Sequence, residues 1–365
     1  MTVKPHIIID NIIFYLQKSG GASVVWQELI SRLNKNDDFK VEYLEYDKKP
    51  ENIFYRQIDF DGKYIHRVRL FFLKMQRYLD LRMRNVKTLH IFHSTHYRYS
   101  KNKNAINITT VHDFTYEYFM SGLAAKVHFW QKRKAILNSD YVICISESTK
   151  RDLLKFIPEY DASRIRIIYN GVSDDYFQIP AEKNDFNLYK EQEYVVFVGA
   201  RTGYKNFDLV VDSLVGTPYK LVIVGKPLSE TETERINSRI GASAYTHVGY
   251  VSNAELNKIY NKAYALMYPS SYEGFGIPIL EAQKAGCPVI GYKASSVPEV
   301  MGDERLLIKY LNPEGIQQCL SMLSDNSVRN DIISHGKSNA LKFSWDRMYA
   351  EVVELYQEAV YNKMN

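Results

Sequence analysis

The segment "SSYEGFGIPILEAQKAGCPVIGY", residues 270–292, has the pattern of a glycine-rich turn that opens a helix and leads into another strand. Pro278 is favoured in the first turn of a helix, so we predict that a helix begins near it. Gly274 and Gly276 let the backbone approach a ligand closely because they have no Cβ. The free N–H groups at a helix start favour an anion, so this turn is a candidate anion-binding site.

The same segment carries two carboxylates, Glu273 and Glu281, with seven residues between them. We expect Glu281 in the first turn of the predicted helix, where a carboxylate can accept hydrogen bonds from two vicinal hydroxyls, as on a ribose. Glu273, on the near side of the turn, can accept from sugar hydroxyls in the same way. A glutamate in a first helical turn also stabilises a helix without any ligand, so the spacing alone leaves a structural role open.

The rest of the chain alternates short β-branched runs with longer helical patterns. Apolar strands that alternate with helices indicate parallel sheets covered on both faces, which is α/β architecture. Five strand patterns precede the polar segment 173–193, which we interpret as a linker, and five follow it, so we predict two Rossmann-like domains. The predicted strands are HIIIDNIIFY, TLHIFHS, AINITTVHD, YVICIS and RIRIIYN, then YVVFVGA, KLVIVGK, THVGYV, YALMYPS and CPVIGY.

A second candidate anion site follows the strand YVVFVGA. Ligands of open α/β sheets bind at the carboxyl ends of the strands, and this strand ends at Gly199. The next turn carries Arg201 and Lys205, and a helix is expected to begin near Asn206. The forked guanidinium of arginine and the point charge of lysine both suit a diphosphate. A solvated loop with chance cations is the alternative that the residues leave open.

Composition bounds the class of protein. Apolar residues make up 45% of the 365, which is typical of a globular protein of two domains. A net charge of +5 is a mild excess that does not by itself indicate a nucleic-acid partner. The three cysteines are scattered without a C-x-x-C pair, which argues against a disulfide framework and for a reducing compartment.

The amino-terminal apolar run is broken by Asp10 and Asn11 and has no small-residue cleavage site, so it predicts a buried strand rather than a signal peptide. No window approaches the roughly 18 apolar residues of a spanning helix. We therefore expect a cytoplasmic protein, with contact at the inner face of the membrane left open. A secreted solute-binding protein is disfavoured for the same reason. A nicotinamide dehydrogenase is disfavoured because KSGGAS stands where G-x-G-x-x-G would follow the first strand.

The segment 270–292, followed by SSVPEV, resembles the signature of the retaining glycosyltransferases of family 4, which have the GT-B fold. The resemblance spans nearly the whole chain. GGASVVWQELI, residues 20–30, resembles the first glycine loop of that family, and VHDFTYEYF, residues 111–119, resembles a His-Asp segment of its mannosyltransferase-like members. ISESTKRDLLKF, IRIIYNGV, VGARTGYKN and HVGYVSNAELNKIYNKA follow in the family's order.

The resemblance implies a GT-B fold, in which two Rossmann-like parallel-sheet domains face a central cleft. It implies an N-terminal acceptor-binding domain over residues 1–175 and a C-terminal nucleotide-sugar-binding domain over residues 190–346. The closing helix, residues 347–365, would cross back to the N-terminal domain.

The resemblance also implies roles for the charged candidates. Glu281 would hold the nucleotide ribose, and Glu273 would contact hydroxyls of the transferred sugar. Arg201 and Lys205 would neutralise the diphosphate leaving group. The turn from Arg201 to Lys205 is shorter than in some members of the family, which puts the placement of Lys205 in question.

Further site residues follow from the same resemblance. Gly274, Phe275 and Gly276 would present backbone amides to the phosphates and the sugar, and Ile277 would add another amide. His112 would lie beside the donor sugar. Gly20 and Gly21 would let the first loop close over the reaction centre.

Sugar transfer from a nucleotide diphosphate passes through an oxocarbenium-like state, so fixed cations and N–H donors are needed at the departing phosphate. We find no Asp-x-Asp at the end of an apolar strand, so no metal site is predicted, and no cofactor beyond the sugar-nucleotide co-substrate. Family members are assigned a front-face attack that needs no protein nucleophile. The alternative is an inverting reaction with His112 as base and Asp113 as its orienting acid. Adjacent strand residues point to opposite faces, which disfavours that pairing.

Two further segments suggest how the acceptor is met. The first segment is IFHSTHYRYSKNKN, residues 91–104, which lies at the end of a predicted strand. Its polar side chains are expected to recognise the acceptor. Its H-x-x-H spacing does not predict a metal site, because no Cys or carboxylate partner accompanies the two histidines. HRVRLFFLKMQRYLDLRMRNVK, residues 66–87, predicts a basic amphipathic helix. Such a helix either lies on an anionic membrane or exposes a solvated basic face, and the solvated face is the slightly favoured interpretation.

The combined prediction is a glycosyltransferase that moves a hexose, best mannose from GDP-mannose, to a glycan or lipid-linked acceptor in surface polysaccharide or lipopolysaccharide synthesis. A UDP-hexose-dependent transferase of the same fold is the first alternative. A non-transferase GT-B enzyme, such as a nucleotide-sugar epimerase, is the second. No nucleic-acid partner is expected.

Overall fold

The computed structural model describes residues 4–68, 77–81, 83, 85–201 and 203–365. The chain forms two compact units. Unit 1 comprises Met1–Gly171 and Trp345–Asn365, and unit 2 comprises Val172–Ser344. Each unit contains one sheet, and all strand pairs among the described residues are parallel.

Unit 1 has a seven-stranded sheet in the order β3-β2-β1-β4-β5-β6-β7. The apolar run near the amino terminus forms an inner strand between β2 and β4, and its Ile7, Ile8 and Ile9 are completely buried because helices cover both faces of the sheet. The strands are β1 (His6–Asp10), β2 (Lys40–Tyr46), β3 (Tyr64–Val68), β4 (His90–Ser94), β5 (Ala105–Val111), β6 (Tyr141–Cys144) and β7 (Ile165–Ile167). The helices are α1 (Ile13–Leu16), α2 (Gly21–Asn34), α3 (Thr115–Phe119), α4 (Gly122–Leu137) and α5 (Glu147–Phe156).

Unit 2 has a six-stranded sheet in the order β10-β9-β8-β11-β12-β13. The strands are β8 (Tyr194–Val198), β9 (Lys220–Val224), β10 (Tyr245–Gly249), β11 (Ala265–Tyr268), β12 (Val289–Tyr292) and β13 (Leu307–Ile308). The helices are α6 (Phe207–Ser213), α7 (Glu230–Ile240), α8 (Asn253–Lys262), α9 (Ile277–Lys284), α10 (Val297–Met301), α11 (Pro313–Met322) and α12 (Asn326–Ala340). The two parallel sheets confirm the predicted Rossmann-like α/β architecture of both halves.

The last helix, α13 (Trp345–Met364), packs within unit 1. The Tyr356 hydroxyl lies 2.7 Å from Nδ1 of His93 at the end of β4, and Arg32 on α2 donates to Asp346 at 2.7 Å. Buried aromatic contacts and a surface ion pair therefore fix the end of the chain to the first sheet.

The strand counts differ from the five predicted for each half, and the physical reason is clear for three strands. The sequence of β2, KVEYLEY, contains two glutamates, yet Glu42 and Glu45 are buried because His66 and Lys40 pair with the first and Tyr15 and Asn11 donate to the second. The sequence analysis therefore missed β2, because its polar residues do not form the pattern of a buried strand. β3 overlaps the predicted basic helix, and β13 has only two residues.

The first predicted strand was too long. Residues 6–10 form β1, whereas Ile13–Leu16 form the short helix α1. The predicted helix over 66–87 was wrong at its start, because residues 66–68 belong to β3. Most of the rest of that segment, residues 69–76, 82 and 84, lies outside the described residues.

The polar segment 173–193 is bound to α8 of unit 2 by hydrogen bonds, although the sequence predicted only a linker. Asparagines 253, 257 and 261 lie on one face of α8 at intervals of four residues. Asn253 donates to Asp175 at 2.9 Å, Asn257 accepts from the Phe177 amide at 3.2 Å, and Asn261 accepts from the Ile179 amide at 2.7 Å. Side-chain amides thus satisfy a stretch of backbone that has no strand partner.

Candidate functional site

The carboxyl ends of the central strands of unit 2 carry the glycine turn and the helix predicted from the sequence. α9 begins at Ile277, with Gly276 as its N-cap and Pro278 in its first turn, so the predicted helix start is confirmed. Gly276 has a φ of 110°, and a Cβ there would lie 3.0 Å from Cδ1 of Ile279. A side chain at this position is therefore disfavoured by the backbone conformation and would press on Ile279, as expected for a tight turn.

The turn after β8 is tied to the turn after β11. The Ser271 amide donates to the Tyr204 carbonyl at 2.8 Å, and the Asn206 amide group donates to the Pro269 carbonyl at 2.7 Å. Asn206 adopts the left-handed conformation, with φ 53°, which asparagine tolerates better than most residues. These contacts place Lys205 beside the glycine turn, despite its short spacing from Arg201.

Lys205 and Glu273 form an ion pair with 2.5 Å between Nζ and Oε1. Both side chains are mostly buried, at 18% and 11% exposure, so the pair is screened less by solvent than a surface pair. The structure thus brings together two of the predicted site residues. The ammonium group of Lys205 can bind a diphosphate in place of Glu273, and the carboxylate of Glu273 can accept hydrogen bonds from sugar hydroxyls in place of Lys205.

The backbone of the glycine turn is held by two serines that were not assigned to the site. The Glu273 amide donates to Oγ of Ser295 at 2.8 Å. Oγ of Ser296 lies 2.9 Å from the Glu273 carbonyl and 2.8 Å from the Phe275 carbonyl, and its single proton is shared between these two acceptors. Phe275 itself is buried, so its side chain anchors the turn while its amide remains part of the loop. The signal that points to these serines is the SSVPEV segment.

Tyr268, the last residue of β11, is the second feature that sequence reasoning missed. Its hydroxyl hydrogen-bonds Glu273, and Nζ of Lys205 lies 5.6 Å from its ring centroid. Burial, followed by the charge of Glu273, raises its pKa well above the usual value, so the phenol stays protonated and donates. Tyr268 therefore orients the carboxylate that the site presents.

Glu281 lies beyond the first turn of α9, which corrects the prediction that placed it there, because the helix begins four residues before it. Its side chain is half-buried, and Oε2 accepts from the Tyr260 hydroxyl at 3.2 Å. Burial raises the pKa of this carboxyl to about 7, although hydrogen bonds from Tyr260 and Tyr176 act in the opposite direction. The site therefore contains an acid that titrates near neutrality.

The sequence interpretation expected the Arg201 guanidinium to be aimed at a diphosphate, but the structure pairs it with Glu232. Its side chain is completely buried, and its guanidinium donates to Glu232 at 2.7 and 3.2 Å. It also donates to the carbonyls of Lys226 at 3.0 Å and Pro227 at 2.8 Å. The hydrogen bonds from Arg201 lower the pKa of Glu232 to about 2. The reason for the difference is that Glu232, in the first turn of α7, supplies a bidentate carboxylate that the sequence did not reveal.

The candidate residues of unit 1 lie at the start of α2 (Gly20 and Gly21) and directly after β5 (His112). Gly20 is the N-cap of α2, and its carbonyl accepts from the amides of Ser23 and Val24. A Cβ at Gly20 would lie 3.0 Å from Oε1 of Gln17, whereas one at Gly21 would meet nothing within 4 Å. A side chain at position 20 would therefore have to displace the Gln17 amide, whereas position 21 has room for one.

His112 directly follows β5, and its Nε2 is buried with no hydrogen-bond partner among the described residues. Burial lowers the pKa of the imidazole to about 4, against the opposing charge of Asp113. The Asp113 carboxylate instead accepts from the Thr115 amide at 2.9 Å, in the turn that precedes α3. That contact agrees with the argument that Asp113 does not orient His112.

The segment expected to recognise an acceptor, residues 91–104, is largely part of the core. His93 is completely buried, and its two ring nitrogens lie 2.7 Å from the Tyr356 hydroxyl and 2.9 Å from Oγ1 of Thr110. Arg98 is buried against Asp10 at 3.2 Å. Among His93, His96, Tyr97 and Arg98, only His96 is partly exposed, whereas Lys101 and Lys103 at the end of the segment are exposed.

In the part of the chain that the structure describes, no group of three or more His, Cys, Asp or Glu side chains is arranged to hold a metal ion. Over the same residues, no helix combines the length and apolar character that crossing a membrane requires.

Comparison with known proteins gives the family. The model of glycosyl transferases group 1 matches residues 178–339, and the model of glycosyltransferase family 4 matches residues 19–176. An uncharacterized glycosyltransferase of Methanocaldococcus jannaschii, MJ1178, is 25% identical over 94% of this chain and 96% of its own length. The O-antigen chain mannosyltransferase B of Escherichia coli is 26% identical over 68% of this chain and 70% of its own.

Among solved structures, Anabaena Alr3699/HepE, crystallised with UDP and glucose, superposes with a TM-score of 0.73 over 98% of this chain and 100% of that chain. Its identity is 13%, so this likeness concerns the fold, which is that of GT-B glycosyltransferases. The two family models together cover β2 to β13 and the glycine turn at Gly276. The chain belongs to the group 1 glycosyltransferases of family 4, and it is a glycosyltransferase.

Proposed function

We propose that this glycosyltransferase transfers mannose from GDP-mannose, with retention of anomeric configuration, to a glycan or lipid-linked acceptor in surface polysaccharide synthesis. The O-antigen chain mannosyltransferase B of Escherichia coli supports the sugar and the pathway class, because it is similar to this chain over most of its length. The same proposal places the protein in the cytoplasm, at the inner face of the membrane where lipid-linked acceptors are presented.

The observation that carries the proposal is the ion pair of Lys205 and Glu273 beside the glycine turn. We propose that the donor separates this pair: Lys205 binds the diphosphate, and Glu273 accepts hydrogen bonds from hydroxyls of the hexose. The amides of Gly274 to Ile277 would then donate to the phosphates and the sugar. Two mostly buried charges that neutralise each other without a ligand are suited to such an exchange, because neither is left unpaired before binding.

Glu281 completes the proposed donor site as the acceptor for the ribose hydroxyls. We propose that Arg201 has a supporting part, since its guanidinium is occupied by Glu232 and by two carbonyls of the loop after β9. It would fix that loop at the sheet edge, and Lys205 and the helix start would supply the charge that stabilises the leaving diphosphate.

In the proposed reaction, the acceptor hydroxyl attacks the anomeric carbon from the face that the diphosphate leaves. The bond from the anomeric carbon to the phosphate oxygen breaks through an oxocarbenium-like state. The hydroxyl proton passes to the departing phosphate, so no side chain is needed as nucleophile. His112 is neutral at pH 7 because its pKa is lowered to about 4, so it can donate one hydrogen bond to the sugar without adding charge.

We propose further that unit 1 binds the acceptor and that Gly20 and Gly21 allow its first loop to close over the reacting sugar. The partly exposed end of β5 near His112 is the surface of that unit that fits this role.

A UDP-hexose-dependent transferase is the second candidate function. The observation in its favour is the Anabaena Alr3699/HepE structure, which was solved in complex with UDP and glucose and whose fold matches this chain. Nothing in the described contacts of unit 2 selects guanine over uracil, so the base must be decided by measurement.

The test has two steps. Thermal unfolding of the full chain is first recorded with GDP, UDP, ADP and dTDP, where a ligand at about 100 times its Kd adds about 2.7 kcal/mol to stability. Release of the nucleotide diphosphate is then followed with and without a lipid-linked saccharide acceptor, and the anomeric configuration of the product is read by NMR. The proposal expects stabilisation by GDP and acceptor-dependent release with retention. No stabilisation by any nucleotide, or turnover without an acceptor as in an epimerase, would overturn it.

A further inference from the structure

The carboxylate of Glu281 is supported from inside unit 2 by a completely buried tyrosine. Tyr260 lies on α8, and its hydroxyl donates to Oε2 of Glu281 at 3.2 Å. Burial, followed by the charge of Glu281, raises the pKa of this phenol well above its usual value, so it is protonated and can donate at neutral pH. A buried hydroxyl with a fixed proton can hold one oxygen of the carboxylate in place.

A second tyrosine stands beside the first. The rings of Tyr176 and Tyr260 are 6.1 Å apart between centroids, and the Tyr176 hydroxyl is hydrogen-bonded to Glu281. The same hydroxyl also lies 3.2 Å from Oδ1 of Asn253. A phenol has one proton, so Tyr176 donates to Glu281 or to Asn253 but not to both at once. Tyr260 is therefore the more constant donor of the two.

We propose that Tyr260 is a positioning residue for donor binding: its hydroxyl holds Oε2 of Glu281 and leaves Oε1 to accept from the ribose hydroxyls. Tyr176 assists in the same way whenever its proton faces the carboxylate. This inference rests on the proposed function, because it assumes that Glu281 meets the ribose. It adds two residues whose side chains need not touch the nucleotide.

The charged and titratable groups around Glu281 predict how nucleotide affinity depends on pH. The groups that hydrogen-bond Glu281 are Tyr260 from α8 and Tyr176 from the segment before β8, and Tyr268 at the end of β11 is near enough to be affected by its charge. Burial raises the pKa of Glu281 to about 7, and the phenols oppose that rise. Nucleotide affinity should increase as pH rises through neutrality, since the ionised carboxylate accepts both ribose hydroxyls.

The experiment compares Tyr260→Phe with Tyr194→Phe in the full chain. Tyr194 is a matched control: it is also completely buried, and its hydroxyl donates to the Ile259 carbonyl at 2.6 Å, with no contact to Glu281. The Kd for GDP, and for UDP in parallel, is measured by calorimetry from about pH 5.5 to about pH 8.5. Glu281→Gln is measured in the same way, and melting curves report folding of every variant.

Tyr260→Phe is expected to weaken binding at pH 7 by roughly tenfold and to move the midpoint of the pH dependence upward. Tyr194→Phe should keep the wild-type midpoint and affinity, and Glu281→Gln should bind weakly with a flat pH profile. If Tyr260→Phe does not fold, Tyr176→Phe takes its place, with a smaller shift in the same direction.

Two results contradict the account, and they are distinguishable. The positioning role fails if the wild-type protein binds nucleotide, Glu281→Gln binds less well, and Tyr260→Phe matches Tyr194→Phe in affinity and midpoint. The proposed function fails if the wild-type protein binds neither nucleotide, or if Glu281→Gln binds both as tightly as the wild-type protein does.

Discussion

Lys205 and Glu273 are 68 positions apart in the chain, and their side chains meet with 2.5 Å between Nζ and Oε1 at the carboxyl edge of the unit 2 sheet. The turn after β8 and the turn after β11 are bound to each other by backbone and asparagine hydrogen bonds, so the meeting is fixed by the fold. We propose that the pair separates when the donor binds. Lys205 then binds the diphosphate, and Glu273 accepts hydrogen bonds from hydroxyls of the sugar.

Replacing Lys205 by methionine should slow transfer strongly, because the leaving diphosphate loses its fixed cation while the aliphatic stem is kept. The loss of one such group costs roughly 100-fold in rate. The measurement is kcat and KM for the donor. Lys293→Met is the matched control, since Lys293 pairs with Glu304 at 2.6 Å but both side chains are exposed. Equal rates for Lys205→Met and Lys293→Met would remove Lys205 from the mechanism.

Replacing Arg201 by methionine should mainly lower the free energy of unfolding, with a smaller effect on the rate of sugar transfer. The change removes a buried guanidinium from Glu232 and from two carbonyls, and we expect a loss of about 2 kcal/mol in the free energy of unfolding at pH 7, because Glu232 keeps some solvent contact. The lowered pKa of Glu232, about 2, contributes stability that is present above its usual value and is lost as pH falls from about 4.5 towards 2.

Urea denaturation at several pH values tests this prediction. The difference between wild-type and Arg201→Met protein should shrink as the pH falls from about 4.5. Unchanged stability combined with loss of diphosphate binding would instead show that Arg201 contacts the ligand directly.

Replacing Glu281 by glutamine should stabilise the ligand-free protein above neutral pH while it weakens nucleotide binding. The pKa of Glu281 is raised to about 7, so the folded state holds a proton that the unfolded chain releases near 4.5. Stability is therefore lost as pH rises between these values, and glutamine, which carries no charge, avoids the loss. We expect a gain on the order of 1 kcal/mol at pH 8, measured by chemical denaturation without nucleotide. A less stable Glu281→Gln protein at that pH would contradict the burial argument.

Replacing Gly276 by alanine should cost about 2 kcal/mol of stability, because φ is 110° and the new methyl would press on Ile279. The turn would also shift, so donor affinity should fall. Gly203→Ala is the control, since a Cβ there meets nothing within 4 Å. Similar melting temperatures for the two variants would show that the turn is less constrained than its geometry indicates.

Much of the fold followed from the sequence, and the reasons for the exceptions are specific. The apolar runs around Ile8 and Val222 predicted buried parallel strands, and Pro278 predicted the start of α9, because these signals are local. β2 was missed because its glutamates are satisfied by partners distant in the chain, such as Tyr15. No local pattern indicates such a partner.

The site shows the same division. Glu273 and Lys205 were expected together and are together, since both follow strands of one sheet. Arg201 was expected to face a ligand, but Glu232, 31 positions later, takes its guanidinium. Tyr260 gave no signal, because a tyrosine on an amphipathic helix is most often a core residue. Its role depends on a carboxylate 21 positions away that only the folded chain brings near it.

The most direct test of the central claim is calorimetric titration of the full chain with GDP-mannose and with UDP-glucose, repeated on the double variant Lys205→Met/Glu281→Gln. The account predicts saturable binding of a sugar nucleotide to the wild-type protein and a loss of affinity of at least roughly 100-fold in the double variant. No binding of either sugar nucleotide to the wild-type protein, or equal affinity in the double variant, would contradict it.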